Sequence, residues 1–259
     1  MNMILNIEKM TFDNIIGDSL EINQQILLAE KAAETDLPVL ITGETGTGKE
    51  LFAKAIHYTS KRRENPFIAE NCSAVPKNLF ESIFFGTAKG AYTGSCEKTG
   101  LFELAQNGTL LLDELNSMPF ELQPKLLRTL QEGTVRRLGG YNEISVDVRI
   151  IAILNEDPEM LIRRCELRRD LYYRLNVIHI HVPPLREHRK DIPLYVNFFL
   201  RKFNEKYCKN FEGFASNVMT ELKKRDYPGN VRELENIIES AVAMGGDGTI
   251  LKMKDMVFL

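Results

Sequence analysis

Apolar residues fall along this chain in two rhythms, and the change from one to the other divides it. Five short, nearly uninterrupted apolar runs, at 39–42, 67–70, 109–113, 148–154 and 177–182, have the length and content of strands buried on both faces. Between them the apolar positions recur at helical spacing. Leu51, Phe52, Ala55 and Ile56 share one face, and Leu122, Leu126, Leu127 and Leu130 share another, with Pro119 near the start of that helix. Strands alternating with helices predict an α/β layer with a five-stranded parallel sheet, whose ligands gather at the carboxyl ends of the strands. After Val182-Pro183-Pro184 the rhythm becomes helical only, with no convincing strand before the last few residues. Ile192, Tyr195, Val196, Phe199, Leu200 and Phe203 form one stripe. Val231, Leu234, Ile237, Ile238 and Val242 form a second, closed by Gly245-Gly246. The expected division is therefore an α/β nucleotide-binding part at 1–182 and a small all-α part at 183–259.

Bulk properties narrow the class. The chain has 259 residues and a formal charge of −3, so its whole surface is not a polyanion trap. Local basic clusters such as Lys61-Arg62-Arg63 and Lys223-Lys224-Arg225 read as solvated helix ends and loops. Cys72, Cys96, Cys165 and Cys208 are scattered without a CxxC pair, which argues against zinc or a disulfide framework and for a reducing, cytoplasmic setting. No apolar run is long enough to span a bilayer, and no signal-peptide pattern opens the chain, so no membrane partner is expected.

The first strand runs directly into Gly43-Glu44-Thr45-Gly46-Thr47-Gly48-Lys49-Glu50. Glycines let backbone N–H groups turn inward around phosphate, Lys49 supplies a point charge, and the helix opening at Gly48 adds its positive dipole end. Glu50 stands where a Ser or Thr usually helps to hold Mg²⁺. The third strand ends in Asp113-Glu114. In a P-loop protein the first acid holds Mg²⁺, directly or through water, and the second polarises the attacking water. The bland alternative is an acidic pair capping the next helix. Arg168 and Arg174, six positions apart, suit guanidinium fingers reaching the γ-phosphate of a neighbouring subunit. Pairing of Asp170 with Arg174 as ordinary helix support is an equal reading from spacing alone.

These blocks, in this order, resemble the central AAA+ ATPase domain of bacterial enhancer-binding proteins, the activators of RNA polymerase carrying the sigma-54 factor. The resemblance runs from about Phe12 to about Asn236 and includes the P-loop with its Glu50, Asn71-Cys72, Asp113-Glu114, the run from Val146 to Ala152, Pro183-Pro184-Leu185-Arg186-Glu187 and the run from Tyr227 to Leu234. The family's Gly-Ala-Phe-Thr-Gly-Ala loop, which contacts sigma-54, is here Gly90-Ala91-Tyr92-Thr93-Gly94-Ser95. Two glycines and one exposed ring make a mobile contact tip. Gly86-Thr87-Ala88-Lys89 lacks the family's usual His-Glu pair. With Asn116-Ser117-Met118 and Asn155-Glu156-Asp157-Pro158, it looks most like the branch regulating arginine catabolism in Gram-positive bacteria.

The resemblance implies an AAA+ P-loop NTPase fold followed by a helical lid, with ATP and Mg²⁺ as cofactors. It assigns Lys49 and Asp113 to phosphates and Mg²⁺, Glu114 to water activation, Asn71 to a switch restraining that glutamate, and Asn155 to the sensor position. It assigns Arg168 and Arg174 to fingers acting across subunits, Arg232 to the second sensor, and Ile15, Ile16 and Gly17 to adenine packing. Arg136-Arg137-Leu138-Gly139-Gly140 corresponds to a second loop that moves with the first. The implied machine is a homo-oligomeric, hexameric ring that remodels the sigma-54 RNA polymerase complex. A fragment without sensory and helix-turn-helix domains is expected to have little DNA affinity of its own. An AAA+ ring with another task, and a nucleotide-dependent oligomerisation module without catalysis, are the competing readings.

Overall fold

The computed structural model describes residues 9–91, 96–246 and 248–257. Contacts divide the chain into two units. One takes in the residues up to Phe12, Leu28–Thr42 and Lys49–His181; the other takes in Asp13–Leu27, Gly43–Gly48 and the chain from Val182 onward.

The first unit is built on a parallel sheet of β1 (Val39–Thr42), β2 (Phe67–Asn71), β3 (Thr109–Asp113), β6 (Arg149–Leu154) and β7 (Ile178–His181), in the order β2-β3-β6-β1-β7. The five predicted runs are these five strands. Register pairs Val39 with Ile151 and Ile178, and Asn71 with Asp113, so Thr42, Asn71, Asp113, Leu154 and His181 end their strands at one edge of the sheet. Every residue of β1 and β6 is buried, the pattern expected of strands covered on both faces. Helices α2 (Lys49–Thr59), α3 (Phe80–Phe85), α4 (Leu101–Leu104), α5 (Gln123–Glu132), α6 (Pro158–Arg163) and α7 (Arg169–Leu175) belong to this unit, and α1 (Leu20–Ala33) begins in the other unit and ends in this one. Phe80, Phe84, Phe85, Phe102, Leu126 and Leu171 fill the main core with the β3 and β6 side chains. At about 2–3 kcal/mol for each large apolar side chain fully withdrawn from water, this cluster is a leading stabilising term. The leucine stripe forms α5, which starts at Gln123 with Pro124 in its first turn and stops at Gly133, φ +64°. A hairpin of β4 (Thr134–Arg136) and β5 (Glu143–Ser145) follows α5. Strands of three residues leave no legible alternation, and the sequence reading does not contain this hairpin.

The second unit is mainly helical. Within it, α8 (Ile192–Tyr207) and α10 (Asn230–Met244) pack through the two predicted stripes, joined by Val218 and Leu222 of α9 (Ser216–Lys224). A two-residue parallel pair, β8 (Gly213–Phe214) with β9 (Ile250–Leu251), adds strand structure where none was expected before the chain end. Two-residue strands carry no period, which is why β8 was invisible. Among the described residues no helix is long and apolar enough to cross a membrane.

Candidate active site

The sheet unit carries the acids. At the tip of β3, Asp113 accepts the Glu114 N–H through Oδ1 at 2.9 Å. Burial pushes its carboxyl above the usual carboxylate range, and the Glu114 and Glu50 charges add to the rise while Lys49 opposes it. Glu114 sits in left-handed backbone, φ 51° and ψ 47°, a conformation that costs a non-glycine residue and gathers at functional sites. Its carbonyl accepts from Ser117 N–H at 2.8 Å, closing a turn directly after the strand. Lys49 is buried in the first turn of α2, whereas Glu50 pairs with Lys54 at 2.7 Å one turn on. A half-buried carboxylate with two other carboxylates nearby is a fitting partner for a hard divalent ion, and Mg²⁺ takes one or two carboxylates together with phosphates and water. Bound there, Mg²⁺ would relieve that crowding and offset charge on phosphate oxygens.

Asn71 ends β2 beside Asp113, but its Oδ1 is engaged by Ser73, from N–H at 2.8 Å and Oγ at 2.7 Å. Asn155 follows directly after β6. Arg168 precedes α7 and forks onto Asp170 through Nε at 3.1 Å and Nη2 at 2.9 Å. It also lies over the Phe120 ring, 5.5 Å from the centroid. Arg174 donates from Nη2 to the Leu130 carbonyl at 2.9 Å. The Asp170–Arg174 helix pair is therefore replaced by Asp170–Arg168. A two-residue separation across the helix start brings Arg168 onto Asp170, while Arg174 reaches the last turn of α5.

The second unit carries the glycine loop. Gly43, Gly46 and Gly48 have φ of +148°, +82° and +94°. A Cβ on Gly43 would fall 2.4 Å from the Val182 carbonyl oxygen, and one on Gly46 would fall 2.3 Å from that of Gly229. Both positions therefore require glycine. Thr47 Oγ1 donates to the Glu44 carbonyl at 2.9 Å, and Arg232 N–H reaches the Gly46 carbonyl at 3.3 Å. Thr45 O accepts from Asn230 Nδ2 at 3.0 Å. The Arg232 side chain is exposed, and Ile15, Ile16 and Gly17 are half-buried, with the Ile16 carbonyl accepting from Tyr195 Oη at 2.7 Å. Asp191, fully buried, accepts from the N–H of Asp18 at 2.9 Å and of Ser19 at 3.0 Å, fixing the segment after Gly17.

Residues 87–91 leave a three-way junction in the sheet unit. Thr87 bridges Lys98 in antiparallel fashion and Leu138 in parallel fashion, while Ala88 N–H donates to Leu138 O at 3.0 Å. A Cβ on Gly139 would lie 2.4 Å from Ala91 Cβ. Arg137 forks onto Glu103 at 2.9 and 2.7 Å and pairs with Glu97. The two loops are thus tied at their bases. Gly90 has φ +79° with open space around it, and Ala91 follows; Tyr92, Thr93, Gly94 and Ser95 lie outside the described residues.

The family model of the sigma-54 interaction domain matches residues 15–181, and that of the AAA+ ATPase lid domain matches 186–257. The chain belongs to the sigma-54 interaction domain family. The transcriptional activator RocR of Bacillus subtilis is 50% identical over 232 residues, covering 90% of this chain and 50% of RocR. The regulatory protein AtoC of Escherichia coli is 49% identical over 227 residues, covering 87% of this chain and 49% of AtoC. A crystal structure of NtrX from Brucella abortus in complex with ATP matches with a TM-score of 0.87 at 34% identity, covering 94% of this chain and 54% of that one. The chain spans about half the length of these relatives.

Several residues of this sigma-54 interaction domain and of the lid region after it escaped the sequence reading as site residues. Arg186 lies in the 183–187 motif and Asn230 in the 227–234 motif, but both reach the P-loop only through tertiary contacts. Thr42, at the tip of β1, shares its hydroxyl with His179 Nε2 at 2.8 Å and His181 Nδ1 at 3.0 Å. The alternation Ile178-His179-Ile180-His181 signals that both imidazoles share one face. Asp191 escaped as well: no local pattern announces an acid buried under backbone N–H groups.

Proposed function

We propose that this chain hydrolyses ATP with Mg²⁺ and uses the cycle to work on sigma-54 RNA polymerase as a ring-forming, most simply hexameric, activator module. The observation that carries the hydrolytic reading is the Asp113-Glu114 tip of β3, with Glu114 held in left-handed backbone. Glu114 makes no side-chain capping hydrogen bond to the turn that follows it, and strained backbone of this kind gathers at functional sites. Residues 43–49 hold the phosphates, Asp113 takes the metal, and Ile15, Ile16, Gly17 and Arg232 hold the base and report on the nucleotide. Arg168 and Arg174 act on a neighbour's γ-phosphate, Asn71 restrains Glu114 between cycles, and Asn155, directly after β6, senses the phosphate. The hydrogen bonds of Thr87, Ala88 and Leu138 support the next step: a shift of the hairpin moves the base of the 90–95 loop with it. That loop contacts sigma-54. Partnership with RNA polymerase implies a cytoplasmic location, and sequence-specific DNA binding is assigned to other parts of such activators.

The test is phosphate release measured from dilute to concentrated protein, with and without sigma-54. Specific activity is expected to rise with protein concentration, because a lone subunit lacks the fingers of its neighbour. A specific activity independent of concentration would refute the shared site.

A further inference from the structure

The loop assigned to phosphate carries a carboxylate of its own. Among residues 43–48 only Glu44 is charged, and a negative charge there opposes the binding of a polyanion. The structure shows how that charge is handled. Arg186 Nη1 donates to Glu44 Oε2 at 2.7 Å and Nη2 to Oε1 at 2.6 Å, a two-pronged pair. Asn230 Nδ2 adds a third bond to Oε2 at 3.2 Å and a fourth, to the Thr45 carbonyl, at 3.0 Å. Asn230 is itself fully buried, in left-handed backbone with φ 53°, and anchored by its Oδ1 accepting the Leu185 N–H at 2.9 Å. The side chains of Arg186 and Asn230 therefore link the P-loop, the residues after Pro184 and the amino end of α10, all within the second unit.

We propose that Arg186 is a charge-neutralising positioning residue for the phosphate loop. With Asn230 it holds the Glu44 carboxylate in a fixed fork, so that the loop presents backbone N–H groups and the Lys49 charge to phosphate without an opposing free anion. The same grip seats the loop on the helix that bears Arg232. This inference rests on the reading of residues 43–50 as the nucleotide site. Because the Arg186 and Glu44 side chains are 38% and 41% exposed, the pair adds little to folding stability, and its consequence is concentrated in binding.

The experiment measures affinity for fluorescent ATP and ADP analogues, with thermal melting in parallel, for wild type, Arg186→Gln, Arg186→Lys and the double variant Glu44→Gln/Arg186→Gln. Unmasking one negative charge beside a triphosphate is expected to weaken ATP binding by on the order of tenfold. The loss for ADP should be smaller, because fewer phosphate charges face the exposed carboxylate. Arg186→Lys keeps the charge and should retain most of the affinity, and the double variant, with no carboxylate left to neutralise, should recover most of what Arg186→Gln lost. Equal losses for ATP and ADP, or a double variant as weak as Arg186→Gln, would overturn the inference and leave Arg186 a structural residue. Wild-type affinity in Arg186→Gln would overturn it as well. A wild-type chain without ATP affinity would instead overturn the nucleotide-site reading, and the inference with it.

Discussion

Glu114 offers a test in which stability and catalysis move in opposite directions. Its backbone is left-handed at φ 51° and ψ 47°. For a residue with a Cβ, that region costs roughly 1–2 kcal/mol. Glycine removes the clash but loses roughly 0.5–1 kcal/mol through its greater freedom in the unfolded chain. Glu114→Gly is therefore expected to be more stable than wild type by roughly 0.7 kcal/mol, the difference of the two mid-range values. Glu114→Ala keeps the Cβ and lacks the carboxylate, so its stability should stay within about 0.5 kcal/mol of wild type. Both variants lose the group assigned to water activation, and both should hydrolyse ATP about 10²–10⁴ times more slowly. The assays are urea unfolding at 25 °C and phosphate release at saturating ATP. A glycine variant no more stable than the alanine variant would refute the strain argument. Hydrolysis near the wild-type rate in either would remove Glu114 from the chemistry.

Three further outcomes are expected. Lys49→Ala should lose nucleotide binding whereas Glu114→Ala keeps it, because Lys49 serves ground state and transition state alike; equal loss of affinity in both would show the roles to be misassigned. Tyr92→Ala should keep ATPase activity yet fail to co-migrate with sigma-54 in ADP–aluminium fluoride, while Tyr92→Phe still binds, and co-migration of the alanine variant would exclude this ring as the contact. His57, fully buried beside Arg149, has its pKa lowered to about 4 chiefly by burial, from an ordinary 6.5. The unfolded chain then binds the extra proton between those values, so stability is held above pH 6.5 and falls on acidification, by about 2–3 kcal/mol on reaching pH 4. Urea midpoints at pH 7 and pH 5 should converge in His57→Asn, and an unchanged gap would acquit this imidazole.

How much of this was legible depended on the distance over which each signal acts. The five sheet strands are legible in their own composition, and the runs at 39–42 and 109–113 reappear as strands with those bounds; β1, β3 and β6 are buried as expected, whereas β2 and β7 are only partly so. The P-loop glycines were legible for the same reason: a positive φ is a local demand, and only glycine meets it cheaply. The β4–β5 hairpin and the β8–β9 pair were not legible, because two or three residues hold too little pattern to separate a strand from a loop. Arg168 was readable as a candidate but its partner was not. Helical spacing offered Asp170 with Arg174 as one of two equal readings, whereas Arg168 sits before the first turn of α7, where non-helical backbone lets it fold forward onto Asp170.

The least legible feature is the one that binds the motifs together. Glu44 and Arg186 are separated by 142 positions, and Glu44 and Asn230 by 186, so no window on the sequence contains either pair. Each motif nevertheless has a residue that makes poor sense alone. An acid in a phosphate loop repels its ligand, and a fully buried asparagine in left-handed backbone has amide groups to satisfy. Both anomalies disappear in the same contact: Asn230 spends its amide on Glu44, Thr45 and Leu185, and Arg186 cancels the charge. A residue that contradicts the chemistry of its own motif is therefore informative even without a structure. It says that a compensating partner exists elsewhere in the chain, and the remaining charged or amide-bearing motif residues are the places to look for it.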